Sequence, residues 1–163
     1  MIRRGFTTIE LLVTIAITVI VFSLGSGVFS LVQKTAAAAS GSVALEQILG
    51  GAARRARSGE AGTNWGVYLP YDETTRRANA VTVFSGASYA TRDATRDVPY
   101  RFNQGVLFTA VDFSGAGSSL GNDHEIVFAA LSGETADYGS VTINIYGGTF
   151  TIFVSQDGMV VLD

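Results

Sequence analysis

The feature that most constrains this chain is an apolar run from Phe6 to Val32, 27 residues that contain a single charged side chain, Glu10. A helix needs about 20 apolar residues to cross a bilayer, and this run is longer. Arg3 and Arg4 precede the run, and the next basic residue is Lys34. Because basic flanks stay in the cytoplasm, we expect the part of the chain after the run to lie on the opposite side of the membrane.

Two simple interpretations of the run are a secretory signal peptide and a plain membrane anchor. A signal peptide would use a cleavage site such as Ala36–Ala39, but its apolar core spans about 7–15 residues, far fewer than this run. A plain anchor leaves Glu10 unexplained, because a carboxylate inside the bilayer costs about 2.5–3.5 kcal/mol on insertion scales. The carboxylate therefore predicts a partner or a function within the membrane.

A short motif supplies that function. Residues 5–13 read Gly-Phe-Thr-Thr-Ile-Glu-Leu-Leu-Val. This resembles the processing motif of type IV prepilins, in which Gly, Phe, a Glu at the fifth mature position and an apolar helix follow one another. The resemblance implies a leader over residues 1–5, cleavage between Gly5 and Phe6 by a prepilin peptidase, and N-methylation of Phe6. Arg3 and Arg4 would then orient the uncleaved chain in the membrane.

Cleavage would create a cationic amine at Phe6, for which the reference pKa is about 7.7–8.0. Glu10 lies four residues further on, along the same helical face. We expect Glu10 of one subunit to pair with the Phe6 amine of a neighbour, which fixes the register between subunits even where the net stabilisation is small. The resemblance also implies other partners: pilin or pseudopilin subunits, the prepilin peptidase, the inner-membrane assembly platform and the membrane itself.

From Lys34 onward the composition is that of a globular domain. Apolar residues recur at helical spacing and predict an amphipathic helix over about 34–58 that continues the first helix and packs on a sheet; they are Leu45, Ile48, Leu49, Ala52, Ala53 and Ala56. Ser58-Gly59 and Gly62 are stop signals. For Arg54, Arg55 and Arg57, a solvated face is favoured over a binding patch.

Short β-type runs follow Gly62 and predict an antiparallel sheet over about 65–163. The runs are Trp65–Leu69, Val81–Phe84, Val106–Phe113, Ile126–Leu131, Val141–Tyr146, Phe150–Ser155 and Met159–Leu162. The last three predict a meander, with Gly147-Gly148 as its hairpin turn and Asp157-Gly158 as a second tight turn.

The predicted fold class is α+β, a long N-terminal helix packed on a C-terminal antiparallel sheet. The predicted divisions are a leader over 1–5, an apolar transmembrane and assembly helix over 6–33, and a globular domain over 34–163. This organisation is similar to the pilin fold. The seven strand runs and the Ala-Arg-rich helix end at 52–58 are similar to GspH/FimT-type minor pilins and pseudopilins.

Residues with catalytic or metal-binding chemistry are sparse. His124, the only histidine, has no Gly-x-Ser-x-Gly elbow to accompany it, so no enzyme is predicted. Oxygen ligands for calcium could come from Asp112, Asp123, Glu125 and Asp137, but no Asp-x-Asp-x-Asp-Gly loop is present. Solvated loop carboxylates are the favoured interpretation, and neither a metal nor a cofactor is predicted.

The predicted function is structural: a minor subunit of a type IV pilus or of a type II secretion pseudopilus. It would first sit in the bacterial inner membrane as a single-pass protein with its C-terminal domain outside. The alternatives are a ligand-binding minor pilin, for example in DNA uptake, and a simple membrane-anchored binding domain. The sequence after Arg101 holds no Lys or Arg, so nucleic acid is not expected as a partner.

Overall fold

The computed structural model describes residues 7–70, 80–102, 106–113 and 125–163, without the side chains of residues 24–29. The chain divides into two compact units, Met1–Ala36 and Ala37–Asp163. Within the described part of the chain, no helix is both long enough and apolar enough to cross a membrane. The predicted segment 6–33 includes Phe6 and the side chains of residues 24–29, which lie outside the described residues.

Helix α1 runs from Thr8 to Arg57. Thr7 starts it, because its carbonyl oxygen accepts the Leu11 N–H at 3.2 Å. At the other end Gly59 adopts a left-handed conformation with φ of 67°. Its N–H donates to the carbonyl oxygen of Ala56 at 2.9 Å, which closes the last turn in the manner of a glycine C-cap. The last residue of α1 is Arg57, and the stop signal that the sequence predicts begins at the next residue, Ser58.

Eight strands follow in the described residues: β1 (Trp65–Tyr68), β2 (Ala80–Ser85), β3 (Val98–Arg101), β4 (Val106–Asp112), β5 (Glu125–Phe128), β6 (Gly139–Ile145), β7 (Gly148–Val154) and β8 (Val160–Leu162). They form two four-stranded antiparallel sheets where the sequence predicts one. The first sheet has the order β3-β2-β1-β5, and the second has the order β4-β6-β7-β8. The predicted meander is present as β6, β7 and β8.

The core is one apolar cluster to which α1 and both sheets contribute. The predicted apolar stripe of α1 is buried in it: Leu45, Ile48, Leu49, Ala52, Ala53 and Ala56. The first sheet contributes Val67, Val81 and Phe128, and the second contributes Phe108, Ile143 and Ile152. A helix packed on antiparallel sheets confirms the predicted α+β class.

Strand β3 is absent from the predicted runs. Pro99 lies inside it and has no N–H to donate, a feature that counts against a strand. The strand is nevertheless possible because β3 is at the edge of its sheet, where a missing donor leaves no partner unsatisfied. A 3-10 turn over Ala94–Arg96 leads into it, and the Asp93 carboxylate accepts the Thr95 N–H there at 3.1 Å.

Two of the predicted strand ends, Leu131 and Tyr146, lie in turns. The run Ile126–Leu131 stops being a strand after Phe128, because Leu131 adopts a φ of 69° and donates its N–H to the carbonyl oxygen of Ala56 at 2.8 Å. The predicted strand end at Tyr146 is instead part of a turn.

The hairpin turn between β6 and β7 is Tyr146-Gly147, since Ile145 pairs with Gly148. The turn residues have φ of 50° and 91°, as a type I′ turn requires. The predicted turn at Gly147-Gly148 is therefore wrong by one residue. The second predicted turn, Asp157-Gly158, lies between β7 and β8, and Gly158 there has a φ of 72°.

Candidate functional site

The first unit exposes an unusual amount of apolar side chain. Every described side chain from Thr7 to Phe22 is exposed, as are those of Leu31 and Val32. Exposed fractions reach 72% for Ile9 and 76% for Phe22. From Ala38 onward the same helix buries its apolar face in the core of the second unit. An exposed apolar surface of this kind is normally covered by lipid or by protein.

Of the predicted site residues, the structure describes Glu10. Arg3, Arg4, Gly5 and Phe6 are outside the described residues, so the predicted cleavage, methylation and orientation stay predictions. Glu10 lies in the first turn of α1, exposed to solvent, and forms no ion pair with a described residue. A carboxylate in this position interacts favourably with the positive end of the helix dipole.

Thr7 is a residue of this site that the sequence analysis missed. Its Oγ1 accepts the backbone N–H of Glu10 at 3.4 Å, which makes it the N-cap of α1. A signal was available, because Thr7-Thr8-Ile9-Glu10 has the Thr-x-x-Glu pattern of a capping box. The cap sets the first turn and thereby places Glu10 at the third helical position.

The three arginines near the end of α1 have different environments. The Arg55 guanidinium lies over the Trp65 ring, 4.9 Å from its centroid, and its Nε is 3.8 Å from Glu60 Oε2. Arg57 donates from Nη2 to the carbonyl oxygen of Asp157 at 2.5 Å. Arg54 is exposed and forms no ion pair with a described carboxylate. The three side chains therefore do not present one basic patch.

Arg54 lies in an open groove of about 920 Å³ between α1 and the edge strand β3. We call this the arginine groove, and define it by Gln47, Gly51, Arg54, Arg55, Ser58 and Tyr100. Its lining contains no carboxylate among the described residues. Gly50 leaves room beside it, since a Cβ there would be 3.3 Å from Arg54 Nη1. Arg54 also lines a second cavity, of about 420 Å³, together with Glu46 and Arg57.

The residues considered as calcium ligands are not brought together. Asp123, like His124, lies outside the described residues. Asp112 is exposed at the end of β4, and Glu125 Oε2 accepts the Tyr89 N–H at 2.6 Å. Burial raises the pKa of Asp137, which a hydrogen bond from the Val127 N–H partly offsets. Within the described part of the chain, no three His, Cys, Asp or Glu side chains could hold a metal ion.

The polar stretch before β3 has a structural role. Arg92 Nε is 2.8 Å from Asp97 Oδ2, and its guanidinium lies 3.7 Å from the centroid of the Tyr89 ring. That ring stacks on Tyr68 at a centroid distance of 3.9 Å. The hydrogen bond to Asp97 raises the pKa of Arg92 above its ordinary value. These contacts fasten the segment to the first sheet.

No protein-family model matches this chain, and a comparison with curated proteins finds no match. Among solved structures, the chain is similar to the minor pseudopilin EPSH from the type II secretion system of Vibrio cholerae, with 16% sequence identity and a TM-score of 0.45. The alignment covers 77% of this chain and 92% of the pseudopilin. A likeness of this degree carries no functional conclusion.

Proposed function

We propose that this chain is a structural minor pilin or pseudopilin, cleaved between Gly5 and Phe6 and assembled into a type IV pilus or a type II secretion pseudopilus. The observation that carries the proposal is the exposed apolar surface of α1 from Ile9 to Phe22 and at Leu31 and Val32, with Glu10 at its start. The second unit has a core of its own.

An apolar helix of this length has two suitable environments. At about 1.5 Å per residue the run from Phe6 to Val32 reaches roughly 40 Å as a helix, enough for a bilayer. Before assembly the bilayer would cover it, and afterwards the helices of neighbouring subunits would. The proposed route therefore begins in the inner membrane, with the second unit outside, and ends in the filament. The prepilin peptidase and the assembly platform are the proposed partners on this route.

Glu10 is the proposed docking group. In water two unit charges 4 Å apart attract by about 1 kcal/mol, and the attraction rises as the surroundings become apolar. A carboxylate held in the first turn of α1 by the Thr7 cap is suitably placed to accept the Phe6 amine of the adjacent subunit. Methylation of that amine keeps its positive charge, so the pair survives the modification.

The proposal assigns the chain no catalytic role and no cofactor. The alternative of a DNA-binding minor pilin is less well supported. Arg55 and Arg57 already interact with Trp65 and with the Asp157 carbonyl oxygen. No lysine or arginine occurs after Arg101 to replace them.

The test compares wild type with Glu10→Leu and Glu10→Gln in cells that assemble the filament, by blotting sheared filament fractions. Both variants should be cleaved and inserted normally but enter filaments poorly, since each lacks the anion. Glu46→Gln, a substitution on the same helix within the second unit, is the matched control and should behave like wild type. Entry of both Glu10 variants at the wild-type level would show that Glu10 is not the docking group.

A further inference from the structure

The two described sheets have four end strands, β3 and β5 in the first and β4 and β8 in the second. Strand β3 contains Pro99, which has no N–H, and ends at the exposed Arg101. Strand β4 has a bulge between Phe108 and Ala110. Proline, charge and bulges are typical of sheet edges that stay unpaired, so these two strands resist the addition of a further strand.

The open side of β5 is covered by the chain that follows it. Phe128 already pairs with Trp65 of β1, so its isolated bridge with Thr135 lies on the other side of β5. The Asp137 carboxylate accepts the Val127 N–H beside this bridge. These groups take the place of a neighbouring strand and close the third edge.

Strand β8 has none of these features in the described part of the chain. Val160–Leu162 contains no proline, charge or bulge, and no described strand pairs with its far side. Its pairing with β7 extends beyond both ends of the strand. The Met159 carbonyl oxygen accepts the Ser155 N–H at 3.0 Å, and the Asp163 N–H donates to the Thr151 carbonyl oxygen at 2.9 Å. Residues 159–163 therefore lie extended along β7.

The direction of the remaining backbone groups of β8 follows from these two hydrogen bonds. Bonded residues alternate in an antiparallel pair, so Met159, Val161 and Asp163 direct their N–H and C=O groups towards β7. Val160 and Leu162 direct theirs away from β7. Strand β8 thus presents backbone donors and acceptors in the alternating pattern that an added strand requires.

The cavity of about 420 Å³ beside Glu46 and Arg54 lies next to this edge, because residues 158–160 form one of its sides and α1 forms another. Glu46 and Arg54 carry opposite charges, and Arg57, which also lines the cavity, donates to the Asp157 carbonyl oxygen. The cavity therefore favours neither a polyanion nor a polycation. A polypeptide segment suits it, since its backbone matches the edge and its side chains can enter the cavity.

We propose that β8 receives an extended segment of another filament subunit, a pilin or pseudopilin of different sequence, as a fifth strand of the second sheet. The inference rests on the proposed function, because the filament supplies the neighbouring subunits. Phe153 and Val161 are register partners with exposed side chains, and the added strand would extend this row of cross-strand contacts.

Amide hydrogen exchange of the full-length chain tests the added strand directly. The tagged chain is exchanged once in detergent and once within sheared filaments, then quenched, separated by its tag and measured at single-amide resolution. We expect the Val160 and Leu162 amides to exchange about tenfold more slowly in filaments, since a new hydrogen bond protects them. The Val161 and Asp163 amides already bind β7 and should change less. Val160 and Leu162 amides with equal rates in both samples overturn the inference.

Val160→Pro removes an outward donor and leaves the hydrogen bonds to β7 intact, as proline at an edge strand allows. Its sheared filament fraction should fall about threefold to tenfold, the effect of one lost hydrogen bond. Arg101 lies two residues after Pro99 in β3 and shares its outward direction, so Arg101→Pro is the matched control and should enter filaments like wild type. Equal entry of the two variants contradicts the assignment.

Photo-crosslinking identifies the partner and its conformation. A photoreactive phenylalanine analogue replaces Val161, which is 49% exposed, in cells that assemble the filament. We expect crosslinks to a different pilin or pseudopilin, at alternate residues of one segment, because alternate side chains of a strand share a face. Crosslinks to residues about three or four apart, as on a helix, overturn the inference.

The same samples separate the possible failures. Trp65 is buried, so its fluorescence shows whether each variant is folded. If wild type enters filaments but its Val160 and Leu162 amides are not protected, only this inference fails. If wild type does not enter filaments, the proposed function fails, and this inference fails with it.

Discussion

The Phe84 ring packs directly over Gly66, its register partner on the neighbouring strand. A Cβ at Gly66 would lie 2.8 Å from Phe84 Cε1 and 2.8 Å from the carbonyl oxygen of Ile126. Strand β1 is central in its sheet, so neither neighbour is free to move away. Phe84 is fully buried, and its ring fills the space that any larger residue at position 66 would need.

Gly66→Ala should therefore destabilise the protein. We expect the free energy of unfolding to fall by about 1–3 kcal/mol, the usual range for overpacking a well-filled core. Chemical denaturation of the full chain in detergent, followed by the fluorescence of Trp65, measures this change. An unchanged denaturation midpoint would show that the sheet accommodates the methyl group.

Gly51→Ala is the opposite case on α1. Gly51 has helical backbone geometry, and the nearest atom to a new Cβ would be Arg54 Nη2 at 3.8 Å, an ordinary contact. Replacing glycine by alanine inside a helix stabilises by about 0.5–1 kcal/mol. The same denaturation measurement should show a higher midpoint than wild type. A midpoint at or below that of wild type would contradict this prediction.

The second half of α1 was predictable from sequence because burial on one helical face imposes its own period. Leu45, Leu49 and Ala56 follow that period and are fully buried. The strands were predictable wherever side chains alternate, as in β6, where Val141, Ile143 and Ile145 are buried. The division of the strands into two sheets was not predictable, because the local sequence pattern does not determine which distant strands pair.

The errors have a common cause, which is that tertiary contacts override local preference. Leu131 looks like a strand residue, but its N–H is bound by the carbonyl oxygen of Ala56 at the end of α1. It is held at a positive φ that leucine rarely adopts, and it remains 78% exposed. No pattern within residues 126–131 reports the position of the helix end.

One part of the candidate site could likewise be predicted from the sequence, and another part could not. The motif around Gly5, Phe6 and Glu10 is local, so the sequence alone predicts it, while the described residues include only Glu10. The Thr7 N-cap could also have been predicted from the local sequence, since Thr7 and Glu10 form a capping-box pattern. The different environments of Arg54, Arg55 and Arg57 could not be predicted from the local sequence. Arg55 contacts the Trp65 ring and Arg57 binds the Asp157 carbonyl oxygen, and both partners come from elsewhere in the chain.

Asp137 predicts a pH-dependent difference in stability. Burial raises the pKa of its carboxyl above the ordinary value of 3.8, so the folded state holds this proton more tightly than the unfolded state. The resulting stabilisation is present below pH 3.8 and is lost as the pH rises through the folded-state pKa. Asp137→Asn has no charge to bury and can still accept the Val127 N–H.

The variant should therefore be more stable than wild type at pH 7, and its advantage should shrink as the pH falls towards 3.8. Denaturation of both proteins at matched pH values measures the difference and cancels the titration of other groups, such as Asp157, whose pKa the Ser155 hydroxyl lowers. An advantage that does not change with pH would exclude the buried carboxyl as its cause.

Duplex DNA should bind the full chain negligibly at about physiological salt. Non-specific binding depends on neutralising phosphates with Lys and Arg, and Arg55, Arg57 and Arg92 are already engaged. Fluorescence anisotropy with the detergent-solubilised protein is the measurement. A micromolar dissociation constant that weakens when Arg54, Arg55 and Arg57 are reversed in charge would contradict this prediction.

The proposed processing of the N-terminus is the central claim, because the amine that Glu10 would bind exists only after cleavage. The most direct measurement is the intact mass and the N-terminal peptide of the protein extracted from membranes of cells that carry the assembly machinery. The account predicts a chain that starts at Phe6 and carries one methyl group on its amine. A chain that starts near Ser40, or one that retains Met1 and the leader, would contradict it.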